Sequence, residues 1–293
     1  MKNSLILKFK LIIEFIIIYF FYIILSKLPF RFVSNFGGCI FNTIGPRTKI
    51  QKVVEKNLQQ IIPDAKADFI QKESRKNWFN IGRTFFELLI LPNILNTKGK
   101  IFIKGKNNLK DIIKKKEKVI FIGIHQSNWE ILLPSIDKIG VPVAGIYRHI
   151  NNPYIDNLVL TIRKKSISSK KSFYTPKGKK SAKDVIQGIK KETSIVLLID
   201  QKDSAGEKVS FFNYPAKTQT GFIKISKKYN LKIVPVQNIR NKDGTFCLIF
   251  HKPMDKISND ISDINAMEKI HSLIEKWIKE NPSDWFLQHN RFS

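Results

Sequence analysis

The stretch F-I-G-I-H-Q-S-N-W-E-I-L-L-P, residues 121–134, sets an imidazole, two amides, a hydroxyl and a carboxylate between apolar runs. His125 and Glu130 are the pair with chemistry in them. A histidine steadied by a carboxylate has a fixed tautomer and can take the proton from a hydroxyl as that hydroxyl attacks a carbonyl. The spacing imposes a condition, because five residues along one continuous helix turn the two side chains about 140° apart. They converge only if His125 lies on the loop before the helix, with Ser127 or Asn128 as N-cap. A plainer reading competes: Ser127-x-x-Glu130 is a capping-box pattern in which the carboxylate satisfies a backbone N–H, and His125 is an imidazole packed at a strand end. Neither a G-x-S-x-G elbow nor a phosphate-binding Walker loop occurs, so the attacking alcohol belongs to a substrate.

The elements that would position such a pair are legible in the apolar runs. Residues 118–124, 141–147, 194–200 and 231–237 are short and largely β-branched, and helix candidates lie between them near 128–139, 153–165, 181–191 and 218–229. Residues 248–254 suggest a further strand and 264–280 a final helix. Continuous apolar strands alternating with helices predict an α/β fold with a mostly parallel central sheet covered on both faces. Three of these runs end in polar groups: His125 after the first, Arg148 after the second, Asp200 and Gln201 closing the third. Ligands of open α/β sheets sit beyond the carboxyl ends of the strands, which is where these groups fall. Arg148 as a solvated arginine and Asp200-Gln201 as a turn cap are the structural alternatives.

Ahead of this core, residues 48–91 show two helical patterns separated by Pro63 and ended by Pro92. The amino terminus differs again. L-I-I-E-F-I-I-I-Y-F-F-Y-I-I-L, residues 11–25, is interrupted only by Glu14 and flanked by Lys8, Lys10, Lys27 and Arg31. That is short for a bilayer crossing of about 20 residues, yet too apolar for an ordinary surface helix, and no small-residue cleavage site follows. The expectation is a retained membrane anchor, spanning or deeply embedded, over residues 1–30, then a helical lead-in at 31–95 and an α/β core at 100–293.

The net charge of +27 arises from 51 basic against 24 acidic side chains, which suggests a polyanionic partner: nucleic acid, an anionic membrane or an acidic protein. Only eight of the basic residues are arginine, so diffuse lysine charge outweighs the forked geometry that specific phosphate readout favours. The lysine-rich segment 164–183 reads as a wet basic loop. Cys39 and Cys247 lack metal-ligand spacing, and His251, His271 and His289 read as ordinary residues with no zinc-site spacing. Trp285 and Phe286 read as core.

H-x4-E at His125 and Glu130, with the N-W-E that completes it, resembles the H-x4-D/E block of membrane acyltransferases that act on glycerol phosphates and lipid A. More specifically, YRHINNPYIDNLVLTIR (147–163), LLIDQ (197–201), VSFFNYPAKTQTGF (209–222), IVPV (233–236) and NPSDWFLQHNRF (281–292) are similar to successive blocks of the late lipid A acyltransferases, the lauroyl and myristoyl transferases. The helical stretch 57–89 is similar too, so the resemblance covers nearly the whole chain. It implies transfer of a fatty acyl chain from acyl carrier protein to a hydroxyl of a lipid A precursor at the cytoplasmic face of a bacterial inner membrane. It also implies His125 as base and Glu130 as its orienting partner. Asn128, Arg148, Arg163, Asp200 and Gln201 would bind substrate, the two arginines at phosphate or thioester groups and Asp200 with Gln201 shaping the site. Neither cofactor nor metal is implied; the partners are the carrier protein, an anionic glycolipid and the membrane, not nucleic acid. The chain departs from the family where glycine is usual at Ser127 and Asn213 and proline at His149. The remaining alternatives are a different glycolipid or glycerophospholipid acceptor, and a noncatalytic basic protein binding membrane or nucleic acid.

Overall fold

The computed structural model describes residues 2–292. Helix α1 (Lys2–Leu25) is followed by α2 (Phe30–Ile44), α3 (Gln51–Ile61), α4 (Ala67–Leu89) and α5 (Leu91–Asn96). The core then runs β1 (Ile101–Lys104), α6 (Lys110–Lys115), β2 (Val119–Gly123), α7 (Leu132–Lys138), β3 (Val143–Tyr147), α8 (Pro153–Lys165), β4 (Phe173–Pro176), α9 (Lys179–Lys190) and β5 (Ser194–Leu198). After it come the hairpin β6 (Glu207–Phe211) and β7 (Tyr214–Thr218), α10 (Gly221–Tyr229), β8 (Lys232–Arg240), β9 (Phe246–Phe250) and α11 (Asp263–Glu280).

The central sheet has seven strands in the order β1-β9-β8-β2-β5-β3-β4, and every adjacent pair is parallel except β8 with β9. Strand β2 shows why the sheet must be covered twice. Ile120 and Ile122 enter one core layer with Ile195, Ile233 and the α11 residues Ile270 and Ile274, while Val119 and Phe121 enter the other with Val143, Val234 and the α7 residue Ile136. A strand buried on both faces reads as a continuous apolar run, and successive side chains alternate between the layers. The fold is therefore α/β with a mostly parallel sheet flanked by helices, as expected.

The lead-in helices α2 and α4 cross closely at two glycines. A Cβ on Gly37 would come within 2.6 Å of the Gly82 carbonyl oxygen, and one on Gly82 within 2.3 Å of that of Gly37. Only glycine permits this approach, which brings the middle of α4 beside the loop that follows β2.

Among the described residues, no helix is long and apolar enough to cross a membrane. The α1 apolar run is about 22 Å long at 1.5 Å per residue, short of the roughly 30 Å hydrocarbon layer, and Glu14 interrupts it. The spanning form of the expected anchor is thus not what the structure carries. Instead α1 docks on the start of α8, where Asn152 donates to the Leu11 carbonyl (2.8 Å) and to Glu14 (3.1 Å) and Phe15 lies against Tyr154. A broad apolar face remains exposed, including Ile16, Ile17 and Phe20.

Candidate active site

The chain leaves β2 at Gly123 and enters a non-helical loop over 124–128, so the loop placement required of His125 is met. Asn128 is the N-cap of the short 3-10 turn Trp129–Ile131, its Oδ1 accepting the Glu130 N–H at 3.1 Å. The loop is clamped from outside: the Ser127 N–H donates to the Asp284 carbonyl (2.9 Å), the Phe286 N–H to the His125 carbonyl (2.8 Å), and Gln126 bridges to Trp285. Thr84 of α4 holds the Ser127 carbonyl at 2.8 Å. Ser127 has φ 56°, a left-handed conformation that costs an L-residue about 1–2 kcal/mol and that glycine would adopt freely.

The carboxylate on His125 is Asp200, from the end of β5. Asp200 Oδ1 lies 2.8 Å from His125 Nδ1, and its Oδ2 accepts both the His125 backbone N–H (3.0 Å) and the Trp285 indole N–H (2.7 Å). Burial pushes this carboxyl up, but the His125 charge and the three donors outweigh it and hold it below the usual carboxylate range. An ionised Asp200 makes Nδ1 the protonated nitrogen, leaving Nε2 as the basic atom. The imidazole is the partly open member, 16% exposed against 1% for Asp200. Around it stand Trp129 (ring centroids 5.3 Å) and Phe286 (6.1 Å), and Trp129 continues through Phe85 to Phe41 as an aromatic path.

The expectation that Glu130 orients His125 is corrected by this geometry. Glu130 faces Arg163 of α8 in a two-pronged pair, Nε to Oε2 at 2.8 Å and Nη2 to Oε1 at 2.7 Å. Burial raises the Glu130 carboxyl, yet Arg163 more than offsets it and the group sits below its ordinary value; its charge reaches His125 without a hydrogen bond to it. The capping-box alternative fails as well, since the carboxylate serves a guanidinium rather than a backbone N–H. Asn128 also departs from its expected role as a substrate contact: fully buried, it donates to Glu87 at 2.8 Å. Glu87 in turn takes Arg240 through both oxygens and Ser34 at 2.6 Å. Asn128 is thus spent on a buried network joining α2, α4, the loop and β8.

Arg148 lies exposed past β3, and among the described residues its side chain has no hydrogen-bond or ion-pair partner. Arg163, over the Tyr147 ring at 5.8 Å, keeps only its Nη1 edge beyond the Glu130 contact. Gln201 is half-buried beside Asp200. His149 and Asn213, the other two departures, each have a local account. His149 Nδ1 meets Asp156 at 2.6 Å while Asp156 also accepts the Ile150 N–H. Phe212 and Asn213, at φ 52° and 64°, form the two-residue turn between β6 and β7, a type I′ geometry in which asparagine can replace glycine. Trp285 is core, as read from sequence, and is also a donor to Asp200, a role no local spacing announces. Among the described residues no cluster of His, Cys, Asp and Glu could hold a metal ion.

This site lies in a chain that belongs to the bacterial lipid A biosynthesis acyltransferase family, whose sequence model matches residues 2–293. No curated protein matches it. The family makes the chain an acyltransferase of lipid A biosynthesis in class.

Proposed function

We propose that the chain moves a fatty acyl group from an acyl carrier protein thioester to a hydroxyl of a lipid A precursor, with His125 as general base and Asp200 as the carboxylate that orients it. The observation that carries this reading is the 2.8 Å contact between Asp200 and His125 Nδ1, which leaves Nε2 as the uncommitted nitrogen of a partly open imidazole. The acceptor hydroxyl gives its proton to Nε2 as its oxygen attacks the thioester carbonyl. The tetrahedral adduct collapses by expelling the thiolate, which takes the proton back from Nε2–H. One ester forms, one thioester breaks, and the enzyme carries no covalent intermediate.

The aromatic path from Phe286 and Trp129 to Phe85 and Phe41 offers an apolar surface for an acyl chain. Arg148 and the free edge of Arg163 offer positive charge to a phosphorylated headgroup, with Gln201 shaping the site beside Asp200. The exposed apolar face of α1 embeds in the cytoplasmic leaflet of a bacterial inner membrane without crossing it, and the excess of lysine strengthens adhesion by about 1 kcal/mol for each basic residue close to an anionic surface. The test is acyl transfer by purified enzyme in detergent, followed by mass spectrometry of the lipid product. His125→Gln and Asp200→Asn lose transfer while expression and membrane association persist; full turnover in His125→Gln refutes the assignment.

A further inference from the structure

Glu87 is a costly residue where it stands. It lies in the last turn of α4 with no exposed surface, and a buried anion there meets the negative end of the helix dipole. Replacing a buried ion pair by apolar residues is often neutral for stability, so the Glu87–Arg240 pair calls for a reason besides holding the fold. Its bonding supplies one. Oε1 takes the Ser34 hydroxyl (2.6 Å) and Arg240 Nη1 (2.5 Å), while Oε2 takes Arg240 Nη2 (2.9 Å) and Asn128 Nδ2 (2.8 Å). Arg83 donates its Nε–H to the Ser34 oxygen at 2.8 Å, which leaves the Ser34 hydroxyl to act as donor to Glu87. The acid is thus oriented from β8 and α2, with one oxygen turned to the loop after β2.

Asn128 is where this orientation reaches the site. Its Nδ2 is held by Glu87, its Oδ1 accepts the Glu130 N–H at 3.1 Å, and its carbonyl accepts from Asn238, two residues before Arg240 on β8. The preceding carbonyl, that of Ser127, is held by Thr84, three residues before Glu87 on α4. The chain is therefore pinned at both polar ends of one side chain and at two successive carbonyls before it turns into Trp129. The Trp129 ring then stands 5.3 Å from His125 and 5.7 Å from Phe286, at the head of the aromatic path.

We propose that Glu87 is a positioning residue for acyl transfer: through Asn128 it sets the Trp129 ring against His125, and so places the acyl chain whose thioester the acceptor attacks. Glu87 itself touches neither His125 nor substrate. The proposal rests on the reading of His125 as base and of the aromatic path as the acyl-chain surface. Misplacement by about 1 Å costs about 10^2 in rate, so a loosened Asn128 acts on the chemical step while the surface that binds the chain remains.

The experiment uses the full chain in detergent and separates placement from folding. Glu87→Leu with Arg240→Met removes both charges in shapes of similar volume, which preserves the urea midpoint but leaves Asn128 Nδ2 without its acceptor. This pair is expected to lower kcat about 10^2-fold with KM for the acyl thioester little changed. Asn128→Asp sets two carboxylates at the 2.8 Å contact and should lose turnover; adding Glu87→Gln exchanges donor and acceptor there, keeps one acid in the network, and should restore most of it. If the apolar pair does not fold, this exchange decides. Trp129, one of four tryptophans, is followed directly by 19F NMR of 5-fluorotryptophan-labelled protein, its resonance assigned by loss in Trp129→Phe. The resonance should move in the apolar pair and return in the exchanged pair. An apolar pair with kcat and the Trp129 resonance unmoved overturns the proposal and leaves Glu87 as a fold element. A displaced Trp129 with full turnover overturns it too, as does turnover that stays lost in the exchanged pair. Absence of transfer by the unsubstituted chain instead refutes the functional reading, and the resonance then decides the placement of Trp129 by itself.

Discussion

Two carboxylates approach the same imidazole, and they do different things. Glu130 meets Arg163, and both charges are matched oxygen for nitrogen in a buried bidentate pair. Asp200 meets a group that can lose its charge, and the atom left over, His125 Nε2, is the one not consumed. A pair of permanent charges matched by two hydrogen bonds holds shape, fixing α8 against the 3-10 turn. A carboxylate set against a titratable ring stores a proton acceptor. Burial alone does not distinguish them, since both acids are nearly closed off; the nature of the partner does.

Several substitutions would break or sharpen this contrast. The largest effect is expected at Asp200→Asn, which should lower kcat by about 10^3–10^4 in a steady-state transfer assay because the imidazole loses its tautomer control. Glu130→Gln should act first on the fold, at about 3–5 kcal/mol in urea unfolding, because Arg163 is left buried and unpaired. The double change Glu130→Gln with Arg163→Met should recover most of that loss; a double variant as unstable as the single one would deny the scaffold role. A third effect comes from a histidine with no carboxylate at all. His271 donates its Nδ1–H to the Ser210 carbonyl, and burial lowers it to about 4, below the ordinary value of 6.5. The unfolded chain then binds a proton that the folded one refuses, so this stability is complete above about pH 6.5 and falls as pH drops toward 4, by up to about 3 kcal/mol. His271→Gln should flatten that part of the urea midpoint against pH. The smallest effect is Ser127→Gly, expected to raise stability by at most about 1 kcal/mol, the left-handed strain relieved less the added chain entropy; calorimetry would read it.

Much of the frame was legible. The four apolar runs became β2, β3, β5 and β8, and the pattern at 153–165 coincides with α8. Besides the separate hairpin β6–β7, the strands missed were β1 and β4 at the two edges of the central sheet, and β4 sits inside the lysine-rich segment read as a loop. Each is four residues long and paired on one side only, so half the burial that writes an apolar run into sequence is lacking. The strand read at 248–254 lies at Phe246–Phe250, shifted toward Phe246, which packs in the core while His251 onward leaves the sheet. At the site, the sequence pointed to His125 and to the polar ends of the strands. Its local spacing favoured Glu130 as partner, five residues away, over Asp200, 75 residues away.

What the sequence by itself determined was the material: apolar runs of strand length, three of them ending in polar groups, and family blocks in order along the chain. Hydrophobic periodicity is local, so it can be read without coordinates. Which acid touches His125 and where Trp285 aims its N–H were decided only when β2, β5 and the carboxyl-terminal segment came together. Parallel pairing of β2 with β5, Ile122 opposite Leu197 and Gly123 opposite Leu198, sets Asp200 beside His125. That register is fixed by packing on both faces of the sheet, a condition no single stretch of residues contains.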